Sequence, residues 1–224
     1  MAYHLLRFEA RIGYQDGLDM QREIVNMVAA GVIDGALLIL EHKPVLTMGI
    51  RTDQNNLLVD NAYLRDAGVE LFETDRGGDI TFHGPGQIVA YPILKFRAFG
   101  LRLSDYMHRL EQVVIDTLAD YDVEATSRPE FPGVWVDDRK LCAIGVRAKQ
   151  FITSHGLAFN VHTDLTYFNL INPCGITEYQ VGRLADYRHD VDIEQVKDRL
   201  INHFNKRFGV TFEPTTLNEL RQRK

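Results

Sequence analysis

Apolar residues along this chain recur with two periods, and the switch between them marks out the elements. Residues 5–10 are mostly apolar and short, as in a strand. Residues 14–30 carry an apolar stripe at helical spacing, and Gly31 follows in the place where a helix commonly ends on a left-handed residue. Residues 36–41 form an almost unbroken apolar run, the pattern of a strand buried on both faces. Residues 69–73, 80–83 and 88–94 read as three further strands separated by glycine turns. A second helix is predicted from Ser104 as N-cap, with Tyr106, Leu110, Val113, Val114, Thr117 and Leu118 on one stripe. Shorter strands follow at 133–136, 141–146 and 152–161. A last helix opens with Asp192 and Gln195 in capping-box spacing, stacks Ile193, Val196, Leu200, Phe204 and Phe208, and stops at Gly209. Neither repeat nor linker interrupts this order. Two or three helices on a large mixed sheet define an α/β (α+β) fold, predicted as a single domain over residues 1–224.

Composition narrows the class. The 224 residues hold 25 Lys+Arg against 31 Asp+Glu, a net charge of −6, which argues against broad nucleic-acid binding. The longest apolar run, residues 35–40, is far shorter than a membrane span, and the first residues lack the apolar core of a signal peptide. A cytoplasmic protein is expected. Its two cysteines, Cys142 and Cys174, are too few for a disulfide framework.

Three segments are poorly explained by packing. The first is Arg76-Gly77-Gly78-Asp79-Ile80-Thr81-Phe82-His83-Gly84-Pro85-Gly86-Gln87. Its paired glycines let backbone approach a ligand, and its arginine suits a carboxylate or phosphate. It is neither a P-loop nor a dinucleotide fingerprint, and a plain hairpin with glycine turns is the alternative. The second is Pro132-Gly133-Val134-Trp135-Val136 followed by Arg139-Lys140-Leu141-Cys142-Ala143-Ile144-Gly145. Cys142 falls inside an apolar strand and reads as core. Lys140 at the strand's mouth is either a solvated charge or a base whose pKa burial would lower. The third is Ser154-His155-Gly156-Leu157-Ala158-Phe159-Asn160-Val161, then Phe168-Asn169-Leu170-Ile171-Asn172-Pro173-Cys174-Gly175-Ile176. Cys174, in a tight Pro-Cys-Gly loop, is the candidate nucleophile. Zinc on Cys174, His83 and His155 lacks any paired-ligand spacing, so no metal is expected. From the residues alone, the chemistry stops at a thiol enzyme with a glycine-rich acyl or phosphate pocket.

Through RGGDITFHGPGQ, PGVWV, RKLCAIG, SHGLAFNV and FNLINPCGI, in this order and covering roughly residues 44–176, the sequence resembles the lipoyl(octanoyl) transferases. That resemblance implies the catalytic fold shared with lipoate-protein ligases and biotin-protein ligases. It implies an acyltransferase that moves an octanoyl group from octanoyl-acyl carrier protein to a lysine on lipoyl domains of 2-oxoacid dehydrogenases and on glycine cleavage H protein. A monomer is expected, and no cofactor, since thioester to amide runs downhill. Cys174 matches the acyl-thioester nucleophile and Lys140 the lysine that lowers its pKa. Arg76, Gly77, Gly78, Asp79, Ile80, Thr81, Phe82 and His83 match acyl-substrate contacts, as do Ala143, Ile144, Gly145, Gly156, Leu157 and Ala158. Two positions depart from the pattern: Cys142 stands where a smaller residue is usual, and Asp79 where a neutral one is.

Several expectations follow. Leu141, Ile144, Leu157, Phe159 and Val89 are candidates to line an acyl channel. His83 and His155 are candidates either to orient the Cys174–Lys140 pair or to be satisfied structural histidines. Lys95, Arg97, Arg102, Arg147 and Lys149 are candidates for a basic patch facing acidic carrier proteins. The rival readings are an ATP-dependent lipoate-protein ligase, an octanoyl amidotransferase, and a non-catalytic carrier-binding module.

Overall fold

The computed structural model describes residues 2–172 and 180–223. In chain order the elements are β1 (Tyr3–Arg7), α1 (Tyr14–Ala30), β2 (Gly35–Leu40), β3 (Val45–Met48), α2 (Asn61–Asp66), β4 (Glu70–Glu73), β5 (Thr81–His83) and β6 (Gln87–Leu94). Then come α3 (Leu103–Ala119), β7 (Thr126–Ser127), β8 (Gly133–Val136), β9 (Arg139–Lys149), β10 (Ile152–Asn160), β11 (Gln180–Val181), α4 (Ile193–Phe208), β12 (Phe212–Pro214) and α5 (Leu217–Arg221). The large sheet runs β12-β1-β2-β6-β10-β9-β8-β7, with β11 beside β9, and β4-β3-β5 form a smaller one. β1 is parallel to both β2 and β12, and β2 through β8 pair antiparallel along that path, so the sheet is mixed.

Both faces of the large sheet are covered, which is why β2 and β6 are apolar at nearly every position. Leu37, Ile39, Ile88, Ala90, Leu157 and Phe159 pack on the side of α3 and α4. Ala36, Leu38, Leu40, Val89, Tyr91, Ile93 and Ala158 pack on the side of α1. The smaller sheet buries Leu46, Ile80 and Phe82 in a cluster of its own. No helix among the described residues is long and apolar enough to cross a bilayer.

The periodicity predicts α1 over the residues it occupies, and Gly31 does close it at φ 74°. Two starts are corrected. α3 begins before Ser104: its N-cap is Arg102, whose backbone N–H donates to Asp105 Oδ2 at 3.0 Å, leaving Ser104 in the first turn. Asp192 does cap α4 by accepting from Glu194 N at 2.9 Å, but Gln195 bonds the Asp192 side chain instead of closing the box on its backbone. The strand β3 and the helix α2 carry no clear sequence signal; β3 is four residues long and owes its place to pairing with β4 and β5.

One buried ion pair ties the far ends of the chain to the glycine turn between β5 and β6. Lys197 of α4 is 1% exposed and holds Glu41 Oε1 at 3.0 Å and Glu194 Oε1 at 2.7 Å. Glu41 Oε2 in turn accepts from Gly86 N at 2.8 Å. Deleting one partner of a buried pair leaves the other charge uncompensated, at a cost of several kcal/mol. Lys197→Ala is therefore expected to destabilise the fold by about 3 kcal/mol, read from the urea midpoint at unchanged slope. A loss below about 0.5 kcal/mol, the range of neutral surface changes, would contradict that role for the clamp.

Candidate active site

A cleft of about 110 Å³ opens on the α1 side of the sheet, between the smaller sheet and strands β6, β10 and β9. Its lining gathers nearly all the expected contact residues: Arg76, Gly77, Gly78, Asp79, Ile80, Thr81 and His83 from one wall, Ala143, Ile144 and Gly145 from β9, and Gly156, Leu157 and Ala158 from β10. Lys140 stands at one end with Trp135, Gln180 and Val181. Phe82 does not line it. Side chains alternate along β5, so Thr81 and His83 face the cleft while Phe82 stacks on Tyr167 at 4.5 Å in the small core. Of the expected channel residues, Val89, Ile144 and Leu157 line the cleft, although Ile144 and Leu157 also belong to the core under α3 and α4; Leu141 and Phe159 lie in that core and do not line the cleft. Cys174 falls in residues 173–179, outside the described residues.

Lys140 reaches the cleft because β9 carries an extra residue. Gly133 pairs with Ala143 and Val134 with Cys142, but Trp135 pairs with Lys140, so the register slips by one between Val134 and Trp135. Strict alternation would place Lys140 on the same face as Cys142. With the slip, Leu141 and Cys142 both face the core, each 0% exposed, and Lys140 turns to the opposite face. There its ammonium lies 5.3 Å from the Trp135 ring centroid, in cation–π reach. Gly133 makes room for it: at φ 139°, a Cβ there would lie 2.6 Å from Lys140 Cε and 2.3 Å from the Cys142 carbonyl oxygen. Gly133 is held by its own N–H, which donates to Glu111 Oε1 of α3 at 3.0 Å. Cys142, as expected, is core, and burial pushes its thiol pKa well up, away from the reactive thiolate.

The Arg76 wall is braced internally. Arg76 Nε and Nη2 donate to Thr47 Oγ1 at 3.1 and 2.9 Å, and Nη1 donates to the Gly77 carbonyl at 3.2 Å. A hydrogen-bonded relay continues from there. Thr47 Oγ1 is 3.4 Å from His83 Nε2, and His83 Nδ1 is 2.8 Å from Gln87 Oε1. Gln87 Nε2 donates to Asn160 Oδ1 at 2.9 Å, and Asn160 Nδ2 to the Gly182 carbonyl at 3.1 Å. Because the Gln87 amide donates to two oxygens through Nε2, its Oε1 must accept, so His83 carries its proton on Nδ1. His83 is thus a satisfied structural histidine as well as part of the lining. Burial, helped by the neighbouring His42 and Arg76, lowers its pKa well below the ordinary value. Thr47, His42 and Tyr91 are not legible as site residues in the sequence: Thr47 sits on the unpredicted β3, His42 just past the apolar run 36–41, and Tyr91 inside a run that reads as core.

Below this wall lies an aromatic floor of Tyr14, His42, Tyr91 and His83, with Tyr14 and His83 stacked at 6.1 Å. His42 Nδ1 donates to the Ile12 carbonyl at 2.9 Å, so its Nε2 accepts from the Tyr91 hydroxyl at 2.7 Å. His155 closes the end remote from Lys140. It pairs with Val146, six residues along β9 from Lys140 or about 20 Å at strand rise. At φ 57° its backbone is left-handed, which carries the ring from the core face, where Leu157 and Phe159 lie, to the cleft face. Gln21 Oε1 accepts from its N–H at 2.7 Å, and its Nε2 donates to Asp75 Oδ1 at 2.9 Å. Burial lowers the His155 pKa against the raising effect of Asp75.

The five basic-patch candidates divide. Arg102 pairs with Asp105 and Arg147 with Asp75. Arg97 lies over exposed Phe151 at 5.1 Å, Lys95 bridges to Ile152, and Lys149 shares the same β9–β10 turn, so three of the five flank one hairpin tip.

The family model "Lipoyl protein ligase A/B catalytic domain" matches residues 13–205. A curated octanoyltransferase of Thermoanaerobacter sp. (strain X514) is 42% identical over 93% of this chain and 92% of its own length. One from Desulforamulus reducens is 40% identical over 95% and 94%. Among solved structures, a lipoate-protein ligase A bound with ATP superposes with TM-score 0.79 at 16% identity, over 99% of this chain and 92% of its own. The biotin protein ligase of Aquifex aeolicus superposes at 0.54 and 13%, over 93% and 70%. At these identities the structures establish only the shared fold. The chain belongs to the lipoyl protein ligase A/B catalytic-domain family. Within it, both of these relatives, at 40% identity or more over most of their length, are octanoyltransferases, and like them this chain is an acyltransferase.

The buried histidine floor predicts a pH dependence. Burial lowers the His42 pKa to about 4 from an unfolded value near 6.5. The folded state then favours neutral His42, a stabilisation fully present above about pH 6.5 and lost as the pH falls toward 4. About 3 kcal/mol of stability is expected to disappear over that window, with His83 acting in the same direction. His42→Gln, which can keep both hydrogen bonds, is expected to flatten the decline in urea unfolding between pH 7 and pH 4.5; an unchanged slope would contradict the assignment.

Proposed function

We propose that this chain moves an octanoyl group from octanoyl-acyl carrier protein, through a thioester on Cys174, to a lysine of lipoyl domains. Octanoyl transfer itself is the activity of its relatives across nearly their whole length. The observation that carries the mechanistic reading is Lys140, turned by the extra residue of β9 out of the core and into an apolar cleft. β11 supports it: Gln180 pairs with Arg139 and Val181 with Lys140, so the chain resumes beside Lys140 directly after residues 173–179.

In the proposed reaction the Cys174 thiolate attacks the acyl carbonyl and the carrier's pantetheine thiol leaves. An ammonium at Lys140 favours the thiolate, and a neutral Lys140 accepts the proton that the acceptor amine must shed before it attacks the acyl-enzyme. Thioester to amide is downhill, so no nucleotide or cofactor is required. Arg76 to Asp79, Ala143 to Gly145 and Gly156 to Ala158 surround the acyl group; Ile80, Thr81 and His83 complete its wall. The acceptors are the lipoyl domains of 2-oxoacid dehydrogenases and glycine cleavage H protein, and the enzyme works as a cytoplasmic monomer.

Incubation with octanoyl-acyl carrier protein in the absence of ATP is expected to add the mass of one octanoyl group to the intact protein, and a lipoyl domain added afterwards to discharge it. Cys174→Ala should show no adduct, and Lys140→Ala should slow both half-reactions. An adduct on Cys142, or a requirement for ATP, would overturn the thioester route; near-normal single-turnover acylation of Lys140→Ala would remove that lysine from the mechanism.

A further inference from the structure

A carboxylate is buried on the face of the sheet opposite the cleft. Glu111 of α3 is 8% exposed and stands beside Leu110 and Val114, which are wholly buried in the core. Glutamate is seldom buried unless it is paired, and two groups satisfy this one. Its Oε1 accepts from Gly133 N at 3.0 Å, and its Oε2 lies 3.3 Å from Nδ1 of the exposed His108. The first contact falls at the most constrained point of the Lys140 arrangement. β7 pairs with Trp135 and Val134 and not with Gly133, so the acceptor for the Gly133 N–H comes from the helix. At φ 139°, Gly133 has a backbone conformation that persists only where its surroundings fix it. Lys140 fills the space a Cβ would occupy there, with Cε 2.6 Å and Nζ 3.4 Å from that point. One residue of backbone thus separates the carboxylate from the ammonium. Burial raises the Cys142 thiol pKa, and both charges also act on it, Lys140 lowering it and Glu111 raising it.

We infer that Glu111 is a positioning residue for acyl transfer: its hydrogen bond to Gly133 fixes the backbone that leaves room for Lys140 and so aims the ammonium into the cleft. The inference rests on the reading of Lys140 as the group that acts on Cys174. Glu111 is not among the described residues that line the cleft, so it acts through β8 and not on substrate. A Gly133 freed from the carboxylate lets β8 move against the Lys140 side chain. An error of about 1 Å in the place of a reacting group costs up to about a hundredfold in rate.

Single-turnover acylation by octanoyl-acyl carrier protein, followed by intact-protein mass spectrometry, separates placement from folding. The amplitude counts competent molecules, and the rate constant reports their geometry. Glu111→Gln keeps an acceptor at the same reach and is expected to stay near the wild-type rate constant. Glu111→Asp keeps the charge but is one methylene short, and Glu111→Ala offers no acceptor. Both are expected to lower the rate constant at least about tenfold, with the half-saturating donor concentration unchanged. In a Lys140→Met background, Glu111→Asp is expected to cost little more, because the two changes act through one group. Should Glu111→Ala fail to fold, the contrast between Gln and Asp decides. A Gln variant as slow as Asp, an Asp variant as fast as wild type, or a loss of amplitude alone overturns the positioning role. So does a full extra loss in the Lys140→Met background. Lys140→Met acylating at the wild-type rate overturns instead the reading of Lys140, and the role of Glu111 with it.

Discussion

The extra residue at Leu141 is the constraint on which the site depends. Without it, the alternation of β9 would carry the Lys140 ammonium into the packed face under α3, where an unpaired charge costs several kcal/mol. With it, two apolar side chains, Leu141 and Cys142, enter that face in succession, each contributing on the order of 2 kcal/mol by burial. The register that buries the apolar pair is therefore the register that exposes the lysine to the cleft. Gly133 and Trp135 of β8 complete the arrangement, one by vacating the volume of a Cβ and the other by offering a ring face to the ammonium.

A second break in alternation stands at the other end of the same cleft. His155 keeps its pairing with Val146 while its left-handed backbone carries the ring across the sheet. Between these two inversions the strands are regular and glycine-rich, so the lining there is largely backbone. At Gly145 a Cβ would come within 2.6 Å of the Gly77 carbonyl oxygen, and at Gly156 within 2.1 Å of that of Ala90. Glycine is the residue that lets the Arg76 loop and β6 close on these strands. The polar groups that result are not left unpaired: the relay from Arg76 through Thr47, His83, Gln87 and Asn160 fixes one tautomer and one amide orientation at each step, which holds the wall rigid.

The parts of the fold legible in sequence are those where one period runs unbroken. The stripe of α1, the apolar run of β2 and the core of α4 each state a single consistent face, and the structure places them there. The site was legible as motifs because glycine, histidine and lysine recur where packing gives no reason for them. Its geometry was not, since both decisive side chains sit where period-two reading points to the wrong face. Alternation assigns Lys140 to the side of Cys142 and His155 to the side of Leu157. Nothing local in Lys140-Leu141-Cys142 announces a bulge, because the slip is decided by β8 pairing and by what α3 can bury. The same limit explains Phe82, whose motif position suggested the cleft while its strand parity buried it, and β3, whose four residues have meaning only between two partners.

The proposed mechanism turns on Lys140 acting on the thiol of Cys174, and the thiol's own acidity measures that most directly. The rate of alkylation of Cys174 by iodoacetamide, followed against pH by peptide mass spectrometry in the wild type and in Lys140→Met, gives the two thiol pKa values. A wild-type value clearly below the ordinary thiol value of about 8.5, rising by about a unit or more in Lys140→Met, is the predicted result. Identical pH profiles for the two proteins would contradict it.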